Sequence, residues 1–195
     1  AAKAAPGVRA VITAADWKAA KLNDLPSHAG LKRRDGSPLL KPRYPVLAED
    51  RVRWVGDPVA FVVADTPAQA LDAAELVQIE YEELPAVVST AEAVKTNAPR
   101  VYEEAPDNIS FVELIGDKAA TDAAFAKAAH VAKGSFVINR VTAAAMEPRG
   151  AVGIYLPAED RYIVHSPVQR AHPYRNEIAK VLNVAESKVR VICID

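Results

Sequence analysis

Few residues in this chain have the types and spacing to do chemistry. Met146-Glu147-Pro148-Arg149-Gly150 is the densest run. Side chains alternate along an extended segment, so Glu147 and Arg149 project to one side. They can pair with each other, or they can stand in a pocket wall or an interface. Gln169, in Ser166-Pro167-Val168-Gln169, is the second candidate. It falls between an expected strand and an expected helix, where a rigid scaffold can hold a loop side chain at the rim of a cleft. Its amide donates and accepts hydrogen bonds without ionising. The four histidines, His28, His130, His165 and His172, lie far apart. None pairs with a His or Cys at metal-ligand spacing, so no zinc site is expected. His165 and His172 can approach across one loop; the plainer reading is polar groups at element ends. Cys193 lies in VRVICI, where a small inert core residue is expected. Lys32-Arg33-Arg34 can hold an anion, against the ordinary reading of a solvated loop. No glycine-rich phosphate-binding motif is present.

The elements that must position these residues are legible from patterning. Gly7 to Thr13 reads as a strand, followed by a turn or short helix through Lys21. Leu22 to Tyr44 is polar and broken by prolines and glycines, a long surface loop. Arg51 to Val55 is a short apolar run before the turn Gly56-Asp57-Pro58. Val59 to Ala64 is apolar on both faces, as in a strand covered on both sides. Thr66, Pro67 and Gln69 mark a helix start with a capping box, and Ala70, Leu71, Ala74 and Val77 form its apolar side. Gln78 to Glu82 alternates as a strand. Thr90 to Val94 makes one helical turn, and Lys95 to Asp107 reads as a linker. Asn108 to Leu114 is extended, Asp117 to Ala128 is a helix, and His130 to Thr142 is a long strand. Ala151 to Leu156 and Arg161 to His165 are strands around a turn at Pro157 to Asp160. Arg175 to Leu182 is a helix with a left-handed C-cap at Asn183. Val189 to Ile194 closes as a strand.

Composition narrows the function classes. The chain has 195 residues, half of them hydrophobic, enough for one large domain or two small ones. A net charge of −1 leaves no electrostatic footprint for nucleic acid or an anionic membrane. No apolar run approaches the ~20 residues of a membrane span. A single cysteine gives no sign of an oxidising compartment. The N-terminus has no apolar signal region and no initiator Met.

The order VGDPVAFVVADT, then ALDAAELVQIEYEELPAVV, then MEPR and a Gln-bearing loop before a helix resembles the large, molybdenum-binding subunit of molybdenum hydroxylases. That family includes xanthine dehydrogenases, aldehyde oxidases and aerobic carbon monoxide dehydrogenases. The resemblance implies an α+β chain. Residues 1–105 would be an N-terminally incomplete a/b hammerhead domain, and 106–195 the start of an α/β molybdopterin-binding domain. It implies an oxidoreductase that hydroxylates aldehydes or N-heterocycles, or oxidises CO, with water-derived oxygen. Molybdopterin would be the cofactor of the intact protein, held incompletely by this fragment alone. Iron–sulfur clusters and FAD on partner subunits or domains would take the electrons. A small-molecule substrate, a homodimer of the intact subunit and a cytoplasmic location complete the expectation. Gln169 stands where the family places a Gln beside the molybdenum centre. Pro167-Val168 departs from the pattern, since many members have a Thr before that Gln. No catalytic residue and no direct metal ligand is expected in this stretch. In the family a glycine-rich cofactor loop follows the strand matching Val189 to Asp195, and the catalytic Glu comes later still. The alternative is a non-catalytic interaction or assembly module of the same fold.

Overall fold

The computed structural model describes residues 1–33, 35–139, 141, 144–146 and 149–193. The chain is α+β and builds two small sheets, each with one helix against it. The first sheet pairs β1 (Val8–Thr13) antiparallel with β2 (Ala60–Ala64), with Ile12 opposite Phe61 and an irregularity between Val8 and Ala10. Helix α1 (Ala14–Ala19) follows β1 directly, where Asp16 accepts from both the backbone and the hydroxyl of Thr13.

Helix α2 (Pro67–Glu75) begins as its cap residues dictate. Thr66 Oγ1 accepts from the Gln69 backbone at 3.3 Å, and Pro67 occupies the first turn, where a missing N–H costs nothing. The expected capping box closes differently: Gln69 Oε1 accepts the Thr66 hydroxyl at 3.1 Å instead of reaching the backbone. The Gln69 side chain lies against Gly7, at φ +71°, where a Cβ would meet it at 2.3 Å. The packed face of α2 also differs from expectation. Ala73 is fully buried and Ala70 and Val77 are half-buried, while Leu71 and Ala74 are exposed. A methyl at Ala73 lets the helix sit close to the sheet, and a larger side chain there would overpack by about 1–3 kcal/mol.

Other expectations for this half are corrected. β2 is not covered on both faces, since Phe61 and Val63 are exposed. Residues 51–55 form no strand and lead into a turn closed by Asp57 N–H on the Trp54 carbonyl. Residues 78–82 form no strand, and Ile79 and Tyr81 are exposed. An alternating pattern makes a strand only where a partner supplies ladder bonds, and none reaches this segment among the described residues. Helix α3 (Thr90–Ala93) is the expected single turn.

The segment 95–107 is tied down, unlike a loose linker. Ala105 is buried, and Asn108, at φ 55°, bonds Val101 N and the carbonyls of Ala93 and Pro99, each at 2.9 Å. Arg33 from the long loop donates to the Ile109 carbonyl at 2.6 Å and pairs with Asp107 at 3.0 Å. Arg33 is therefore spent on the fold, which favours the structural reading of the basic cluster; Arg34 lies outside the described residues.

Helix α4 (Lys118–Lys127) is capped by Asp117, yet all its residues are exposed. Residues 108–114 pair in no regular strand, although the Ser110 carbonyl accepts from Leu40 N–H and Val112 N–H donates to the Lys32 carbonyl. The long strand expected over 130–142 is absent from its described residues, and Phe136, Val137, Ile138 and Val141 are more than four-fifths exposed.

The second sheet has the order β3 (Val152–Leu156), β4 (Arg161–His165), β5 (Val189–Ile192). β3 and β4 form a hairpin, and β4 and β5 are parallel with helix α5 (Ala171–Leu182) between them. α5 starts four residues before the expected Arg175, because Pro173 is accommodated in the first turn, where its missing N–H is harmless. Asn183 is the left-handed C-cap, at φ 55°. Ala179 and Val189 are the buried contacts of this unit. No helix among the described residues is long and apolar enough to cross a membrane.

Candidate functional site

Ligands of open α/β sheets bind beyond the carboxyl ends of the strands. Here that end holds an open cleft of about 480 Å³, lined by Arg149, Gly150, Ala151, Ser166, Pro167, Val168 and Tyr174. Three stretches build it: the run before β3, the loop after β4, and the first turn of α5. Ser166 is buried, its Oγ donating to the Gly150 carbonyl at 3.0 Å and its N–H to the Ile192 carbonyl at 3.1 Å. The Val168 carbonyl accepts from Cys193 Sγ at 2.9 Å.

Gln169 directly follows Val168, on the bend between β4 and α5, and is exposed. It makes no side-chain hydrogen bond among the described residues, and no side chain caps α5 at Arg170. Its amide is thus uncommitted beside the cleft. Arg149 stands in the cleft wall, one of the two roles its spacing allowed. The pairing with Glu147 falls outside the described residues, as does Pro148.

Cys193 is exposed just past the end of β5, not in the core, because the strand stops at Ile192. Its thiol bonds the loop opposite. His165 ends β4 and His172 sits exposed in the first turn of α5. His28 contacts Glu177 at 3.2 Å. No group of three or more His, Cys, Asp or Glu side chains is placed to hold a metal among the described residues. Sequence reasoning missed Ser166 and Tyr174 as cleft residues. A tyrosine beside an amphipathic helix reads as part of its apolar side, and a serine after a strand carries no signal of burial.

The donor set suits an anionic, hydrogen-bonding ligand. A guanidinium and two hydroxyls line the cleft, Gln169 lies one residue beyond its wall at Val168, and no acidic side chain lines it among the described residues. Ala151, Pro167 and Val168 give one apolar wall.

The family description "Aldehyde oxidase and xanthine dehydrogenase, a/b hammerhead domain" matches residues 1–85, and "Molybdopterin cofactor-binding domain" matches residues 101–195. The carbon monoxide dehydrogenase large chain of Hydrogenophaga pseudoflava is 34% identical over 207 residues, covering 100% of this chain and 24% of that protein. The 6-hydroxypseudooxynicotine dehydrogenase complex subunit gamma of Paenarthrobacter nicotinovorans is 36% identical over 193 residues, covering 97% and 23%. Among solved structures, CO dehydrogenase from Oligotropha carboxidovorans superposes with a TM-score of 0.82 at 33% identity, covering 100% of this chain and 24% of that one. The chain thus spans about a quarter of the length of these relatives. With both halves matched in family order, the chain belongs to the large-subunit family of molybdenum hydroxylases.

Proposed function

We propose that this chain contributes part of the molybdopterin site of a molybdenum hydroxylase large subunit. The enzyme would be an oxidoreductase that hydroxylates aldehydes or N-heterocycles, or oxidises CO, using oxygen derived from water. The observation that carries this reading is the cleft at the carboxyl end of β4, acid-free among the described residues and within the segment that matches the cofactor-binding description. When bound, molybdopterin supplies two-electron redox chemistry at molybdenum. Arg149, the Gly150 backbone and the Tyr174 hydroxyl would hold its anionic and hydrogen-bonding edges. Gln169 would present its amide to the metal centre or to substrate. Ala151, Pro167 and Val168 would keep water off one side, which strengthens each polar contact.

The same reading divides the chain near residue 105 into a hammerhead unit and a cofactor-binding unit, supported by the ranges of the two family matches. It assigns iron–sulfur and FAD subunits or domains as electron acceptors, since relatives are named as one chain or subunit of a larger complex. A dimer of large subunits in the cytoplasm completes it. The extensive exposed apolar surface, including Phe61, Phe136 and Ile138, supports burial against further protein.

The test is to express the whole gene with its partners under molybdate-replete conditions. Molybdenum and pterin should copurify with the large subunit, and a dye should be reduced with an aldehyde, an N-heterocycle or CO. A well-folded, molybdenum-free complex that reduces no dye would contradict the proposal and favour an assembly module.

A further inference from the structure

The loop that carries Gln169 is held from beneath by one buried hydroxyl. Ser166 keeps only 6% of its accessible surface, although it lines the cleft. Its Oγ reaches Gly150, just before β3, and its N–H reaches Ile192, at the end of β5. One residue thus ties the loop to both strands flanking β4. Pro167 follows, with a fixed φ and no N–H of its own. The next tie is Cys193 on the Val168 carbonyl, and Gln169 is the first residue beyond it. A loop so pinned at its root presents its next side chain from a fixed height above the cleft floor, which is what preorganisation of a donor requires.

We propose that Ser166 is a positioning residue for Gln169, acting through its bond to the Gly150 carbonyl; this rests on the reading of the cleft as the cofactor site. Removing the hydroxyl leaves that carbonyl unpaired at the floor and loosens residues 168–170. A residue that mattered only to folding would instead affect the whole sheet evenly.

The test compares Ser166→Ala, Ser166→Cys and Gln169→Ala in the whole enzyme, by amide hydrogen exchange, by molybdenum content and by the Mo(V) paramagnetic signal. In Ser166→Ala the amides of Ser166 and Tyr174, which bond the Ile192 and Arg170 carbonyls at the two ends of the loop, should exchange about fivefold faster, with β3 and β4 unchanged. Molybdenum content should stay at the parental level, and the Mo(V) signal should change in the same direction as in Gln169→Ala. Ser166→Cys, with a weaker donor, should fall between parent and Ala; if the Ala variant does not fold, this variant alone decides. Unchanged exchange at Ser166 and Tyr174, with Gln169→Ala still altering the signal, overturns the positioning role and leaves the cleft reading standing. Faster loop exchange with a silent Gln169→Ala overturns the cleft reading, and the positioning role with it.

Discussion

Asn23, in the N-terminal half, donates its side-chain amide to the carbonyl of Lys180, near the end of α5, at 2.7 Å. Its backbone N–H reaches the Val181 carbonyl at 2.8 Å, and Asn183 returns a bond to the Lys21 carbonyl at 3.4 Å. The last carbonyls of a helix have no partner within it. Here a loop from the first half bonds two of them, so the end of the helix behind the cleft, set locally by Asn183, is tied to the first half. Asn23→Ala should lose about 1 kcal/mol, because only the side-chain bond is removed, and the melting temperature should fall by about 2–4 °C. Calorimetry of the 195-residue chain measures this; an unchanged melting temperature would mean that water replaces the amide without cost.

Asn108 should be far more sensitive. It makes three side-chain bonds while holding φ at 55°, a region that asparagine tolerates and alanine resists. Asn108→Ala should cost on the order of 3 kcal/mol, measured by denaturant unfolding. Limited proteolysis should accordingly cut first within 130–139 or 78–88, where the backbone is unpaired and largely exposed, and spare 95–107. Early cuts between Lys95 and Asp107 would show that the Arg33 and Asn108 ties do not hold.

The turn between β3 and β4 should respond to pH in a defined direction. The Lys188 ammonium, and then the Tyr155 hydroxyl, hold the Asp160 carboxyl below its ordinary value of 3.8. Asp160 in turn raises Lys188 above its ordinary 10.5. A lowered carboxyl contributes stability that is present above its ordinary pKa and lost as pH falls through the folded value. A raised ammonium contributes stability that is present below its ordinary pKa and lost as pH rises through the folded one. The tie should therefore persist from about pH 4 to about pH 10. Lys188→Met should bring the Asp160 titration, followed by NMR, back up towards 3.8. A midpoint that does not move would assign the shift to Tyr155 alone.

Cap and turn residues made much of this fold legible. Thr66-Pro67 and Asn183 mark helix ends by local chemistry, and each holds its place. The hairpin β3–β4 and the strand β5 were equally readable, since each finds a partner in the sheet. Failures cluster where the pattern depends on distant protein. Gln78 to Glu82 and His130 to Thr142 alternate like half-buried strands, but no neighbour pairs with their described residues. Composition also does not report the ties around 95–107, where Arg33 reaches across to Asp107 and Ile109. Gln169 was singled out only by family resemblance, and Arg149, which lines the cleft, was legible through its spacing. Ser166 was not, because burial of a single hydroxyl is a tertiary property.

On the proposed function, the uncommitted amide of Gln169 would serve the metal centre and not the fold. The most direct measurement is Gln169→Ala, read for turnover in the whole enzyme and for melting temperature in the chain. Losing one preorganised donor should lower turnover on the order of 100-fold. Losing an exposed, unbonded side chain should change stability by no more than about 0.5 kcal/mol. Parental turnover in Gln169→Ala enzyme that retains its full complement of molybdenum would contradict the claim.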